Sequence, residues 1–222
     1  MPSPEFFHDR AILTVRNNDI HRLNSTILDH LLGDEQTYTS ADSYSIELPT
    51  AQQNNDIPME FLYSLNASGL PIAHLHLKLG YLIIILQNID TKQGLYNGTH
   101  ATIVQMSNHL LQVHLITRDH AGETALIPQI TLSPSLTGLN FAIKLNRHQF
   151  PVQLAFAMTI NKAQGQTLKH VGVNLRNSVF AHGQLYVAFS CTTSLQDISV
   201  LLSPDSKAYQ MWNVVYRKVL LD

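Results

Sequence analysis

Apolar positions recur along this chain in two rhythms. The run Arg10 to Val15, RAILTV, predicts a strand, and Asn17 follows it as a candidate helix cap. Ile20, Leu23, Ile27 and Leu31 then repeat at the spacing of one helix face, with Gly33 as the stop. A strand feeding an amphipathic helix is the building unit of an α/β domain with a parallel sheet. From about Asp34 to Gly69 the chain is polar and aperiodic, which predicts loop with short helical or extended pieces. Between Leu75 and Ile130 the rhythm shortens. The runs LKLGYLIIIL, ATIVQM, LLQVHLIT and TALIPQI are bounded by Asn97-Gly98, Asn108 and Gly122, a pattern that predicts a small antiparallel barrel. After Pro134 to Gly138 the α/β rhythm returns, with strands over VQLAFAMTI from Val152, HVGVNL from His170 and DISVLL from Asp197, and a helix over FAHGQLYVAF from Phe180. Ser203-Pro204-Asp205 predicts one more helix, with Ala208, Met211, Val215 and Val219 as its apolar face. The expected organisation is a small barrel inserted into a larger sheet domain.

Composition narrows the classes of function. A chain of 222 residues with 45% hydrophobic content can bury a core. Its formal charge of -2 leaves no strong basic field, so any nucleic-acid contact has to be local. The longest apolar stretch, Tyr81 to Leu86, is far shorter than the roughly 20 residues that span a bilayer, and MPSPEFFHDR lacks the apolar core of a secretory signal. No membrane partner is expected. The lone Cys191 excludes an internal disulfide and fits a reducing compartment, which leaves the sequons at Asn24, Asn66 and Asn97 without meaning. His74 and His76 alternate on a probable strand, but no third and fourth ligand is suitably spaced, so no metal site is expected. Asp34-Glu35 reads as a solvated turn at a helix end.

The densest chemistry lies in Phe150 to Ser194, FPVQLAFAMTINKAQGQTLKHVGVNLRNSVFAHGQLYVAFSCTTS. A strand ending in Thr159-Ile160-Asn161-Lys162 would deliver a hydroxyl, an amide and an ammonium to one place, and Gly165 would let the backbone approach closely before Thr167. This segment resembles motifs V and VI of the Pif helicase family, which also occurs in Helitron transposons. RAILTVRNNDIHRLN resembles its motif IV region, YTSADS (Tyr38 to Ser43) the usual follow-on, and Gly69 to Thr99 its 2B insertion. The resemblance covers nearly the whole chain. It implies an α/β fold: a second RecA-like domain 2A (1–42 and 150–222), interrupted by a 2B insertion (43–149) with a small antiparallel β-barrel similar to a Src-homology-3 fold.

By the same resemblance Thr159, Asn161, Lys162, Gln164, Thr167, Asn97 and Gly98 would touch single-stranded DNA, and Gly165, Gln166, Tyr186 and Ser190 would face the nucleotide. From spacing alone, Tyr186 and Phe189 read as core-facing. Full-length members of the family use ATP and Mg, and the resemblance implies an intracellular, nuclear protein with possible roles in repair, recombination, telomere maintenance or transposition. The chain departs from the pattern in two ways. Cys191 stands where the family has its arginine finger, and Gln87, His100 and Gln129 also replace arginines. With 12 His and few Arg, this pattern fits a transposon copy altered by cytosine deamination. No Gly-Lys dipeptide of a phosphate loop occurs in the 222 residues. The chain is therefore expected to bind no nucleotide tightly and to be inactive without an N-terminal RecA-like partner domain. The competing expectations are a stand-alone single-stranded DNA-binding module and a decayed remnant.

Overall fold

The computed structural model describes residues 4–46, 57–66, 69–116, 118–134, 143–204 and 210–216. In chain order the elements are β1 (Arg10–Thr14), α1 (Asn17–Asp29), β2 (Glu35–Thr39), β3 (Ala41–Ile46), α2 (Met59–Ser64), β4 (His74–Lys78), β5 (Leu82–Ile85), β6 (His100–Met106), β7 (Leu110–Leu115), β8 (Thr124–Pro128), β9 (Ile130–Leu132), β10 (Ile143–Gln149), β11 (Val152–Leu154), β12 (Ala157–Thr159), β13 (His170–Leu175), α3 (Gln184–Ser190) and β14 (Ile198–Leu202). Short 3-10 turns separate several of them. The chain divides into two compact units, 1–31 with 155–222, and 32–154.

The first unit is a mixed α/β structure on a four-stranded parallel sheet in the order β12-β1-β13-β14. Parallel neighbours require crossover segments, and α1 supplies the one after β1. The helix buries Ile20, Asn24 and Leu28, one residue per turn; of the face read from the sequence only Ile20 and Leu31 are buried, Leu23 and Ile27 are half-buried, and the buried stripe runs through an asparagine. The expected Asn17 cap is not made: the N-cap residue is Arg16, without a side-chain hydrogen bond, and the helix ends at Asp29, ahead of Gly33. Leu13, Met158, Ile160, Val173 and Cys191 pack in the core of this unit.

The strand expected over VQLAFAMTI is two strands in two different sheets. Val152–Leu154 pairs antiparallel with β5, whereas Ala157–Thr159 pairs parallel with β1. Between them Phe156 gives its carbonyl to the Ile12 amide at 2.8 Å and its ring to Phe7. An unbroken apolar run records burial but not which neighbour does the burying. The helix expected from Phe180 begins only at Gln184, because Gly183 at φ +75° is its N-cap. The last expected helix is absent over Gln210 to Tyr216, where Trp212, Val215 and Tyr216 are exposed. Met211 and Val214 pack against the core from non-helical backbone, so these apolar positions are used without a helix. Ala208 and Val219 lie outside the described residues.

The second unit holds a five-stranded antiparallel sheet, β11-β5-β6-β7-β8, a three-stranded sheet, β3-β10-β9, and the β2-β4 ribbon. The polar stretch after Asp34, expected as mainly loop, thus contributes two strands and the short α2, and Glu35, expected in a helix-end turn, begins β2. Their alternating residues find cross-strand partners that a single strand does not advertise. Arg147 is fully buried, donating to both Asp42 carboxylate oxygens and to the carbonyls of Leu62, Leu65 and Pro71. A charge so enclosed is tolerated because its donors are partnered. Gln149, also buried, ties Tyr38 and Ala73 together through their carbonyls. Histidines face threonines directly across the strands: His76 opposite Thr37, His74 opposite Thr39, His114 opposite Thr124 and His148 opposite Thr131, each within hydrogen-bond distance. A structural role thus accounts for four of the twelve histidines. No cluster of three or more metal-ligating side chains is present among the described residues.

Candidate nucleic-acid interface

Three neighbouring parallel strands carry short polar side chains in register at or next to their carboxyl ends: Thr159, the last residue of β12, Thr14, the last of β1, and Asn174, just before the end of β13. Each turns back on the chain that follows. Thr159 Oγ1 accepts from the Lys162 amide at 3.4 Å, Thr14 Oγ1 donates to the Arg16 carbonyl at 3.0 Å, and Asn174 Oδ1 accepts from the Arg176 amide at 3.3 Å. Hydroxyl and amide side chains favour such local turns, which is why the strands stop there and the backbone opens into loops. The sequence reading found Thr159 but not Thr14 or Asn174. What would have found them is the coincidence of short polar residues at the ends of predicted strands.

The loop after Thr159 begins as a 3-10 turn, Ile160–Ala163. Ile160 and Ala163 are buried, and Asn161, Gln164, Gly165 and Thr167 are exposed. Gly165 sits at φ +80°, with open space where a Cβ would be. Its glycine is thus explained by backbone conformation and not by crowding from the protein. Gln166 Nε2 donates to the Lys162 carbonyl at 3.4 Å. Lys162 is half-buried, and burial lowers its pKa. His21 on α1 has its pKa lowered by burial first and by the Lys162 charge second. Lys162 is thus the cation of this loop, and burial together with its charge keeps the neighbouring His21 ring neutral.

Asn24 holds this corner in place. Its side chain accepts from the Ala157 amide at 2.7 Å and donates to the Ala157 carbonyl at 3.3 Å. Since β12 is an edge strand, the asparagine acts as its missing neighbour. Nothing in the local sequence pattern marks Asn24, because its partner is 133 residues away.

The second segment, α3, packs on the same turn. Cys191 is 1% exposed, and its thiol points to the carbonyls of Val187 and Ala163, while its own carbonyl accepts from the Leu168 amide at 2.8 Å. Burial raises the thiol pKa, so this is an inert core sulfur and not a reactive thiolate. Tyr186, expected in the core on spacing alone, is 76% exposed; a seven-residue helix on the surface buries only one side, here Gln184 and Ala188. Phe189 is half-buried. Ser190 is exposed and donates to the Val187 carbonyl. Gln184 accepts from the Phe180 amide through Oε1, and its buried Nε2 has no partner among the described residues.

The structure therefore brings Thr159, Asn161, Lys162, Gln164, Gly165, Gln166 and Thr167 into one exposed loop against α3. Asn97 and Gly98 belong to the other unit, in the turn between β5 and β6. There the Asn97 amide donates to Asn88 Oδ1 and Gly98 takes φ +94°. Of the positions where the resemblance implies arginine, Gln87 donates to the Gly69 carbonyl, Gln129 pairs with His109, and His100 has its pKa lowered to about 4 by burial.

A parallel sheet whose polar loops open at the carboxyl ends of its strands defines an α/β protein, in which ligand sites lie at that edge. Residues 60–106 match the family model described as the 2B domain of DNA helicase Pif1. The chain is 32% identical over 193 residues to the ATP-dependent DNA helicase PIF1 of Rattus norvegicus and 38% identical over 130 residues to that of Homo sapiens. The first of these alignments covers 85% of this chain and 27% of the relative, so the chain spans about a quarter of that protein's length. Among solved structures, the Pif1 helicase of Candida albicans superposes with a TM-score of 0.68 at 26% identity, over 96% of this chain and 48% of that one. Bacteroides Pif1 bound to single-stranded DNA shares the fold, with a TM-score of 0.66 at 21% identity over 95% of this chain and 44% of that one. The chain belongs to the Pif1 helicase family and corresponds to the C-terminal portion of its members.

Proposed function

We propose that this chain forms the strand-contacting part of an ATP-dependent DNA helicase, with a RecA-like 2A domain (1–42 and 150–222) and a 2B insertion (43–149) built on a small barrel similar to a Src-homology-3 fold. The observation that carries this reading is the exposed loop Thr159 to Thr167, which carries Lys162 and follows β12 beside the in-register polar residues Thr14 and Asn174. Single-stranded DNA is the partner. Its phosphates would be met by the side chains of Asn161, Lys162, Gln164 and Thr167 and by the loop's own amides. Asn97 and Gly98 would add contacts from the insertion, and Gly165, Gln166, Tyr186 and Ser190 would border the nucleotide.

The nucleotide side is incomplete in these 222 residues. There is no Gly-Lys phosphate loop, and position 191 carries a buried neutral thiol where charge neutralisation of a transferring phosphoryl group would need a cation. The residues present do not make a phosphate pocket, and ATP with Mg would require a partner RecA-like domain. The buried thiol also favours a second reading, a strand-binding module that works without nucleotide.

The test is fluorescence anisotropy of the 222-residue chain with a labelled deoxythymidine oligomer across a salt series, alongside phosphate release from ATP. The chain should bind the oligomer, and Lys162→Ala should weaken binding and lower the salt slope by about one. Phosphate release should stay at the level of a protein blank. Absence of DNA binding, or a Lys162→Ala variant that binds like the parent, would overturn the reading.

A further inference from the structure

The 32–154 unit contains a groove of about 420 Å3 that the strand-contacting loop does not use. Its wall includes Tyr38, which is 5% exposed and fixed edge-on against Phe150, with its hydroxyl donating to the Ser107 carbonyl at 3.0 Å. Three side-chain amides, Gln36, Asn108 and Gln129, and two imidazoles, His109 and His148, also line the groove. His109 Nδ1 lies 3.2 Å from Gln129 Oε1, and His148 Nδ1 lies 3.1 Å from Thr131 Oγ1, so both rings are oriented by a neighbour. The side-chain amides of Gln36 and Asn108 have no hydrogen-bond partner among the described residues. None of the lining residues is Asp, Glu, Lys or Arg.

The chemistry of this lining selects its ligand. A groove without cations gains little from phosphate, whose binding is driven by charge and counterion release. Carboxamides present a donor and an acceptor side by side, the complement of the adenine N6 and N7 edge. Imidazole rings offer flat surfaces on which a base can stack. From the absence of charge, the three amides and the two oriented rings we infer that this groove takes an unpaired nucleobase, adenine best, reading its edge through Asn108, Gln129 and Gln36. The inference rests on the reading of this chain as a DNA-strand binder and adds a base-reading subsite to it. Contacts to phosphate hold any sequence equally, whereas this groove would make the chain favour purine-rich over abasic strand.

Two measurements on the full 222-residue chain separate the groove from the strand-contacting loop. The first is an NMR titration with adenosine, which has no phosphate. The His109 and His148 ring signals and the Asn108 and Gln129 side-chain amides should shift saturably, and Lys162→Ala should leave these shifts intact. The second is anisotropy with an oligo-deoxyadenosine and an abasic oligomer of equal length. Asn108→Ala combined with Gln129→Ala should weaken the adenine oligomer about tenfold at low and high salt alike. The abasic oligomer and the salt slope should be unchanged. Both substitutions lie on the surface or near it, and the adenosine titration uses the unaltered chain.

Groove signals unmoved by adenosine, or a double variant that binds the adenine oligomer like the parent, would overturn the inference. If adenosine shifts the groove but no oligomer binds, the helicase reading fails and the base site stands. If oligomers bind and the groove stays silent, the base site fails and the helicase reading stands.

Discussion

Asn24 is the residue on which the loop from Thr159 to Thr167 depends most directly. It occupies the middle of the buried stripe of α1, where an aliphatic side chain would be expected, and spends both ends of its amide on Ala157 of the edge strand β12. Removing it leaves a buried backbone N–H and C=O without partners, each with a desolvation cost of about 1–3 kcal/mol. Asn24→Ala should therefore destabilise the chain by roughly 2 kcal/mol in urea denaturation. It should also weaken single-stranded DNA binding, because the loop from Thr159 onward hangs from β12. Asn24→Leu, which restores the apolar stripe but not the clamp, should do no better. Full stability in either variant would show that β12 is held by β1 alone. Thr14 and Asn174 carry the same lesson. Their side chains were silent in the sequence because each matters only through a register with strands far along the chain.

At the scale of elements, β6 ties the antiparallel sheet together by pairing with both β5 and β7. It begins at His100, whose pKa is lowered to about 4 by burial against an ordinary value of 6.5. The sign follows from linkage. The unfolded chain takes up a proton at this ring as pH falls through about 6.5, and the folded chain does so only near pH 4. Stability is therefore fully present above about 6.5, declines as pH falls through that window and levels off below about 4. The ring's share of the loss should be on the order of 3 kcal/mol. His100→Gln should flatten the acid limb of a stability–pH profile measured by chemical denaturation. An unchanged limb would place the acid sensitivity elsewhere. The elements themselves were legible to different degrees. β1, β6, β7, β8, β13 and β14 fall where short apolar runs bounded by turn residues put them. β2 and β3 were missed because Glu35 to Ile46 is polar, and the division of Val152 to Thr159 was missed because its hydrophobicity is continuous across the break.

For the molecule as a whole, the charge balance sets how DNA binding should respond to pH. The formal charge is -2 with histidine neutral, and 12 histidines are available to titrate. His100 and His21 contribute least, since burial disfavours their charged forms. By composition alone, with 12 histidines against a formal charge of -2, mild acid should turn a slightly acidic protein into a basic one. Affinity for a single-stranded oligomer should then rise several-fold between about pH 7.5 and about pH 6 at constant ionic strength, with a steeper salt slope at the lower pH. Anisotropy titrations at the two pH values check this. A flat response would mean that Lys162 and the loop amides carry the binding alone, without help from the general field.

The sequence by itself determined the class of fold and the family, because these are written in short-range patterns: strand-to-helix periodicity, turn residues and the contiguous stretch from Thr159 to Thr167. The tertiary structure alone decided which sheet each half of Val152 to Thr159 joins, that Arg147 is fully enclosed with Asp42, that Asn24 clamps β12, and that the Cys191 thiol points into the core. Each of these depends on partners brought together across the chain, 133 residues apart in the case of Asn24 and Ala157. Local propensity is blind at that range, and the energy resides in desolvation and hydrogen bonding between surfaces that exist only after folding.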